Sequence, residues 1–394
     1  MASRANLAAA ALIAPLALLV VATFIAPLAV ALHTAIANPE VRETLPATTA
    51  ALAAWDGEGL PPEEAYAAIA EELAQAQERQ SIGPLARRLN FEQTGLRALL
   101  LKTARARAGL SAPYKDALIA LDPRWGDPAL WRLLQRNGSS HTPLYLLRSV
   151  DLTLTPEGAV AKAPADEAIF LRLFGRTFEI SAWVTLLCVL VAYPAAYAMA
   201  KMSRRWASVA LTLVLVPFWT SILVRTTAWF ILLQREGPVN AALLALGVVD
   251  TPVAMIFNRF AVLVAMVHVL LPFAILPLYS VIKGIDPAYA RAAASLGAPP
   301  WRRFLRVTLP LSMPGVAAGA LMVFMLAVGF YITPSLVGGP DDQMVSTFIA
   351  FYTNNTINWG MSAALATLLL AATAAIVVVA RVVLPGVATR GLRL

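Results

Sequence analysis

Apolar residues along this chain gather into long uninterrupted runs, with polar positions crowded into the segments between them. A run of about 18 or more apolar residues, nearly free of charge, can cross the hydrocarbon core of a bilayer as a helix. Six runs qualify: Leu7–Ile36, Phe178–Ala200, Ala207–Leu233, Pro252–Ile282, Leu311–Ile332 and Met361–Leu384. The fourth is long enough to tilt or to project beyond the hydrocarbon. The first, with Arg4 before it and the small residues Ala35 and Ala37 near its end, has the outline of a secretory signal. Its apolar run far exceeds the roughly 7–15 residues of such a signal's core, so an uncleaved span is expected.

Between the first two runs the pattern changes. Over residues 39–172 apolar and polar positions intermix as in a soluble domain, and the segment is long enough to fold on its own. Pro61-Pro62-Glu63-Glu64 predicts a helix start, with proline in the first turn and acids at the positive helix end. Helical composition then runs to Gln80. Leu85–Ala108 is expected to continue as a basic helix with Leu89, Leu96, Leu99 and Leu100 on its apolar side. Ser149–Lys162 alternates as a hairpin, with Pro156-Glu157-Gly158 at its turn.

Composition sharpens the class. Hydrophobic residues make up 59% of the 394 and charged residues 14%, which excludes both an ordinary soluble domain and a disordered chain. The net charge of +8 raises nucleic acid as a partner until its distribution is read. Residues 39–172 contain 15 Lys+Arg and 17 Asp+Glu, leaving 16 positive and 6 negative side chains elsewhere. Those positives cluster at Arg4, at Lys201, Arg204 and Arg205, at Lys283, Arg291, Arg302, Arg303 and Arg306, and at Arg390 and Arg393. Alternate loops hold instead Arg235, Glu236, Asp250, Asp341 and Asp342. Basic loops stay cytoplasmic, so both termini are expected inside and residues 39–172 outside. The positive excess is then topology, and nucleic acid drops out as a partner. The single cysteine, Cys188, lies in an apolar run and reads as a buried thiol; His33, His141 and His268 are too scattered to suggest a metal site.

The most informative segment is the basic loop between the fourth and fifth runs, AYARAAASLGAPPWRRFLRVTLP (288–310). It reads as a small-faced helix, a break at Gly297, a Pro299-Pro300 turn and a basic amphipathic piece ending at Pro310. Taken by itself, it is either a helix for a partner's groove or a re-entry loop whose charges fix topology. The segment resembles the EAA loop of permease subunits of binding-protein-dependent ABC importers, whose pattern is Glu-Ala-Ala, three residues, Gly, nine residues and Ile-x-Leu-Pro. Ala292 and Ala293 match the alanines, Gly297 the glycine, and Val307, Leu309 and Pro310 the end, with Ser295 and Leu296 inside the spacing. Arg291 stands where the family usually has Glu. Further stretches resemble the polyamine branch of these permeases: VPFWTSILVRTTAWFILL (216–233), HVLLPFAILPLYSVIKGID (268–286), YITPSLVGGPDD (331–342) and FYTNNTINWG (351–360).

The resemblance implies an all-α polytopic membrane protein with six transmembrane helices of the type I ABC importer permease fold. Residues 1–38 would be the first span, 39–172 a mainly helical exterior (periplasmic) domain, and 173–394 a five-helix core with its cytoplasmic coupling loop at 283–310. It implies a second permease subunit, a cytoplasmic ATP-binding subunit dimer and an extracytoplasmic solute-binding protein as partners, in a bacterial inner membrane. The chain has no Gly-Lys pair and hence no phosphate-cradling loop, so ATP and Mg would be used by the partner ATPase, with no cofactor here. The solute would be a polyamine such as spermidine or putrescine. The alternatives are an opine, aminoethylphosphonate or ferric iron, and from other classes a membrane receptor or an ion-coupled secondary transporter.

Candidate path residues follow from charge and aromaticity within the spans. Arg225 lies beside Thr220, Ser221, Thr226 and Thr227; an ionisable residue inside a span marks a path by default, or else is an outer-end charge pairing with Glu236 or Asp250. Arg259 is nearer the outer boundary. Glu179 either serves a cation or caps its helix. Trp219, Trp229, Tyr279, Phe330, Tyr331, Tyr352 and Trp359 offer faces to an organic cation or form interfacial belts. Asp341 and Asp342 either attract a cation at the mouth or make a plain turn after Gly338-Gly339-Pro340. Gly315 and Gly319 predict close helix packing.

Overall fold

The computed structural model describes residues 12–383; Arg4, the start of the first run at Leu7, the end of the sixth at Leu384, and Arg390 and Arg393 lie outside them. The described chain is almost wholly helical, with one two-stranded hairpin. Five helices are long and apolar enough to cross a membrane: Leu12–Thr34, Phe170–Lys201, Arg259–Gly284, Pro300–Val328 and Trp359–Ala380. By contacts the chain divides into two compact units, one taking in the chain through Leu171 together with Phe351–Leu368, the other Arg172–Ala350 and the chain from Leu369.

The second span starts at Phe170 rather than Phe178, and three others differ from the expected boundaries, each for a local reason. The third is no single rod: Arg204–Trp219 and Ile222–Leu232 meet at 96°. Pro217, which cannot donate to the preceding turn, sits in a 3₁₀ turn at Val216–Trp219. Ser221 then restarts the helix, its hydroxyl accepting from Leu223 N–H at 3.3 Å. The fourth begins at Arg259 rather than Pro252, because Asn258 caps it by accepting from Ala261 N–H at 3.1 Å. Residues 252–258 are instead held as loop, with Asn240 bonded to both the N–H and the carbonyl of Val253. The fifth runs Pro300–Val328, not Leu311–Ile332. A π-turn at Phe304–Thr308 carries the helix through the prolines at 310 and 314, and Ile332 opens a separate short helix, Ile332–Val337.

The inserted domain centres on Trp125, Trp131 and Tyr66, all fully buried. Their polar ends are satisfied: Tyr66 Oη and Trp131 Nε1 both donate to the Trp125 carbonyl, at 2.9 and 3.0 Å, and Trp125 Nε1 donates to Thr103 Oγ1. Burial of aromatics of this size is the main favourable term. Burial also pushes the Tyr66 hydroxyl up to about 12. The helix begins at Glu63 as expected, but Leu85–Ala108 is two helices, Ile82–Glu92 and Leu96–Ala106. Gly95 breaks them at φ 93°, and Asn90 Oδ1 accepts from the freed Gly95 and Arg97 N–H groups. The hairpin forms as expected, Leu152–Leu154 against Val160–Lys162.

A buried polar cluster ties the exit of the first span to this domain. Arg88 donates to Asn38 Oδ1 at 2.8 Å, to Asn137 Oδ1 at 2.6 Å and to Glu92 at 3.1 Å. Glu92 also accepts from Asn137 and pairs with Arg136. Around them the chain at 36–38 bridges to 140–142 through Asn38 N–H to Ser140 O and Thr142 N–H to Ile36 O. A buried arginine is tolerable only when paired and hydrogen-bonded throughout.

In the second unit Arg259–Gly284 and Leu309–Val328 pack most closely. A methyl on Gly319 would lie 3.0 Å from the Ala274 carbonyl, and one on Gly315 2.9 Å from Val281 Cβ, so the small-residue pair serves close backbone approach, as the sequence predicts. Cys188 is buried in this core.

Candidate functional site

The loop between the fourth and fifth spans is largely exposed in the second unit. Asp286 accepts from Ala288 N–H at 2.7 Å and starts a nine-residue helix, Pro287–Ser295. None of its residues is buried. It ends in a Schellman turn: Ala298 N–H reaches the Ala293 carbonyl at 3.0 Å and Gly297 N–H the Ala294 carbonyl at 2.9 Å. That turn needs a left-handed residue at the position after the cap, and Gly297 supplies φ 78°. Nothing lies within 4 Å of a methyl added there, so backbone conformation alone demands the glycine. Just before it Leu296 stands 89% exposed. Arg291, Ala292 and Ser295 are exposed on the same helix and Ala293 is half-buried. Val307 and Leu309, half-buried, and Pro310, exposed, belong to the fifth span itself. The basic piece expected as part of the loop is thus the first turns of a transmembrane rod, because the π-turn keeps the helix continuous.

The acidic candidates are joined to arginines. Arg259 Nε donates to Asp342 Oδ1 at 2.6 Å and its Nη1 to Glu179 Oε1 at 2.9 Å. Asp342 is itself buried and accepts from Gly339 N–H, closing the Pro340–Asp342 3₁₀ turn. Arg176 reaches Asp341 at 3.3 Å together with the carbonyls of Pro340 and Gln343. Glu179, Asp341 and Asp342 therefore clasp three elements of the unit at one end of the spans. Surface ion pairs of this kind stabilise weakly; the buried Asp342 link is the stronger one.

The third group surrounds the break. Trp219, Thr220 and Ser221 lie exposed at the bend. Arg225 follows in the first turns of Ile222–Leu232, half-buried, its Nε shielded from solvent without a hydrogen-bond partner. No ion pair joins Arg225 to Glu236 or Asp250 among the described residues. Thr226 and Thr333 share a buried hydrogen bond of 3.0 Å, fixing this half-helix to Ile332–Val337. Trp229 Nε1 donates to His268 Nδ1 at 3.1 Å. Tyr279 and Phe330 pack against the core of the unit, whereas Tyr331 is exposed. Tyr352 packs in the first unit against Phe91 and Phe170, and Trp359 is exposed. Sequence reasoning missed the His268–Trp229 bond: the two are 39 positions apart, and the available signal was an ionisable ring in mid-span.

Residues 192–388 match the family model described as the binding-protein-dependent transport system inner membrane component. The spermidine/putrescine transport system permease protein PotB of Escherichia coli is 35% identical over 198 residues, covering 50% of this chain and 72% of that protein. The inner membrane ABC transporter permease protein YdcU of the same organism is 32% identical over 237 residues, covering 54% and 74%. The molybdenum transport system permease protein ModB of Mycobacterium bovis is 30% identical over 207 residues, covering 52% and 74%. The inserted helical domain precedes the matched segment. The EAA-like spacing around Gly297, the multi-span helical unit that carries it and these relatives converge: the chain belongs to the family of binding-protein-dependent transport system inner membrane components, a multi-pass ABC permease of the inner membrane.

Proposed function

We propose that this chain forms half of the translocation path of an ATP-driven importer, moving a polyamine such as spermidine or putrescine inward. The PotB relatives carry the substrate part of this reading, and the exposed Pro287–Ser295 helix carries the coupling part. That helix seats in a cleft of the ATP-binding subunit, with Arg291 exposed on it and Leu296 exposed at its end. A second permease subunit completes the path, and an extracytoplasmic solute-binding protein delivers the solute. Both termini are cytoplasmic and the inserted domain lies outside, where it contacts the binding protein. ATP-driven closure of the partner subunits moves the coupling helix and shifts the spans between two states, which requires that ATP and solute each favour one state over the other.

Reconstitution of the whole importer tests this. ATP-dependent uptake of labelled spermidine or putrescine, lost when the partner ATPase is inactivated, is the expected result. Uptake that persists without ATP hydrolysis refutes the assignment in favour of an ion-coupled carrier. Deletion of approximately Pro61–Asp151 is expected to weaken binding-protein affinity, and unchanged affinity removes the docking role. One observation favours a second reading. The cation Arg225 is unpaired among the described residues near a helix break, which suits an amine that also carries an oxyanion, as an opine or aminoethylphosphonate does.

A further inference from the structure

The half-helix Ile222–Leu232 begins inside a span, after a 96° break. Its peptide dipoles already make that end positive, yet its second turn opens with the cation Arg225 rather than an acid. In the same unit Arg176 and Arg259 are matched with carboxylates. Arg225 forms no such pair among the described residues, and its Nε is buried without an acceptor. Trp229, four residues on and so on the same helix face, donates its indole N–H to His268 Nδ1. An indole nitrogen can only donate, so Nδ1 is the acceptor and the geometry assigns the remaining ring proton to Nε2. The His268 ring is exposed, tied through Trp229 to the helix face that bears Arg225, and presents a second unmatched donor.

Depth excludes lipid as the natural surrounding. His268 follows Arg259 by nine residues in a 26-residue helix, about 14 Å along a rod of about 39 Å. An imidazole at such depth faces a polar path or a bound group, since hydrocarbon penalises it. Broken helices inside membranes are tolerated where they line such a cavity, and the N-terminal end of a half-helix suits an anion.

We propose that Arg225 and His268 form a seat for the oxyanion end, a carboxylate or phosphonate, of the transported solute. The guanidinium offers a planar fork to two oxygens and His268 Nε2–H offers a third donor. Trp229 is a positioning residue that fixes the tautomer. The seat rests on the importer reading and pursues its oxyanion-bearing alternative; a bare polyamine has nothing to place there.

The chain has three histidines, so ¹⁵N-histidine labelling of this chain alone, assembled with unlabelled partners in nanodiscs, gives few ring signals, and His268→Gln assigns the relevant one. Aminoethylphosphonate or aminovalerate is expected to shift the His268 nitrogens, whereas putrescine leaves them in place. Arg225→Gln is expected to weaken that response at least about tenfold, the loss of a charged hydrogen-bond partner, with Arg225→Lys intermediate. If Arg225→Gln fails to assemble, the Lys variant and Trp229→Phe, which frees the tautomer, carry the comparison. Unshifted His268 signals with both anion-bearing probes, in a complex that hydrolyses ATP normally, overturn the seat. So does wild-type affinity in the Arg225 variants. Parallel uptake separates the two claims: putrescine uptake with silent His268 signals removes the seat and leaves import standing. Absence of any ATP-dependent uptake, with the His268 shift intact, removes the import reading alone.

Discussion

Replacing Gly297 isolates backbone conformation from packing. Its φ of 78° is left-handed, and a methyl there meets nothing within 4 Å. Alanine therefore costs only the intrinsic penalty of that region, about 1–2 kcal/mol. That penalty lowers the population of the two-bond turn after Pro287–Ser295 by roughly 5- to 30-fold relative to competing backbone states. The turn aims Leu296 and sets the angle between the short helix and Pro300. Gly297→Ala is accordingly expected to reduce ATP-coupled uptake severalfold in proteoliposomes, with membrane insertion and chain yield unchanged. Gly297→Asn is expected to recover most of the loss, because asparagine tolerates the left-handed region far better, and Gly297→Val to be worse than alanine. The reasoning is refuted if alanine couples as well as glycine, or if asparagine and valine behave alike: the first removes the turn from the mechanism, the second makes bulk rather than φ decisive.

Other expectations concern folding. Gly319→Leu forces a side chain against the Ala274 backbone and is expected to destabilise by about 1–3 kcal/mol as overpacking does; a lower melting temperature in detergent checks it. Glu92→Ala leaves Arg88 buried with its charge uncompensated, and removing one partner of such a pair costs on the order of 3–5 kcal/mol. Tryptophan fluorescence of the full chain, reporting on Trp125 and Trp131, should show the domain opening at lower denaturant than in wild type. The Arg124 guanidinium beside Asp122 holds that carboxyl at about 2, below its ordinary value of 3.8. A depressed carboxylate contributes stability above its unfolded value and loses it as pH falls through the folded one. Wild type should thus lose stability between about pH 4 and 2, and Asp122→Asn should flatten that part of the profile in an acid melt; an unaltered slope removes the pair from the acid response.

Much of this architecture was legible in the amino-acid order because bilayer thickness imposes a length on every span. The inserted domain, the hairpin turn at Pro156-Glu157-Gly158 and the close packing at Gly315 and Gly319 were also readable, each from a local signal. The break in the third span was not. Thr220 and Ser221 interrupt the apolar run by two residues only, too little to distinguish a weak spot from a right-angled restart, and Pro217 by itself is compatible with a kink. The late start of the fourth span depends on Asn258 acting as a cap, which the apolar residues before it conceal. In the loop, spacing exposed Gly297 but could not reveal that Phe304–Thr308 joins the following helix. Arg225 stood out by charge, while the Trp229–His268 hydrogen bond did not, since its two residues lie 39 positions apart on different helices.

The unbroken Pro300–Val328 helix has a mechanical consequence. Its 29 residues extend about 44 Å, and its tightest contact, at Gly315 and Gly319 against Arg259–Gly284, lies past its middle. Taken as a fulcrum, those glycines divide the rod into arms of about 25 Å toward Pro300 and about 16 Å toward Val328. A displacement applied beside Pro300 reappears at the far end reversed in direction and reduced to roughly two-thirds, the ratio of the two arms. Moved as one body, such a rod would turn a displacement beside the short exposed helix into a smaller, opposite one at its far end.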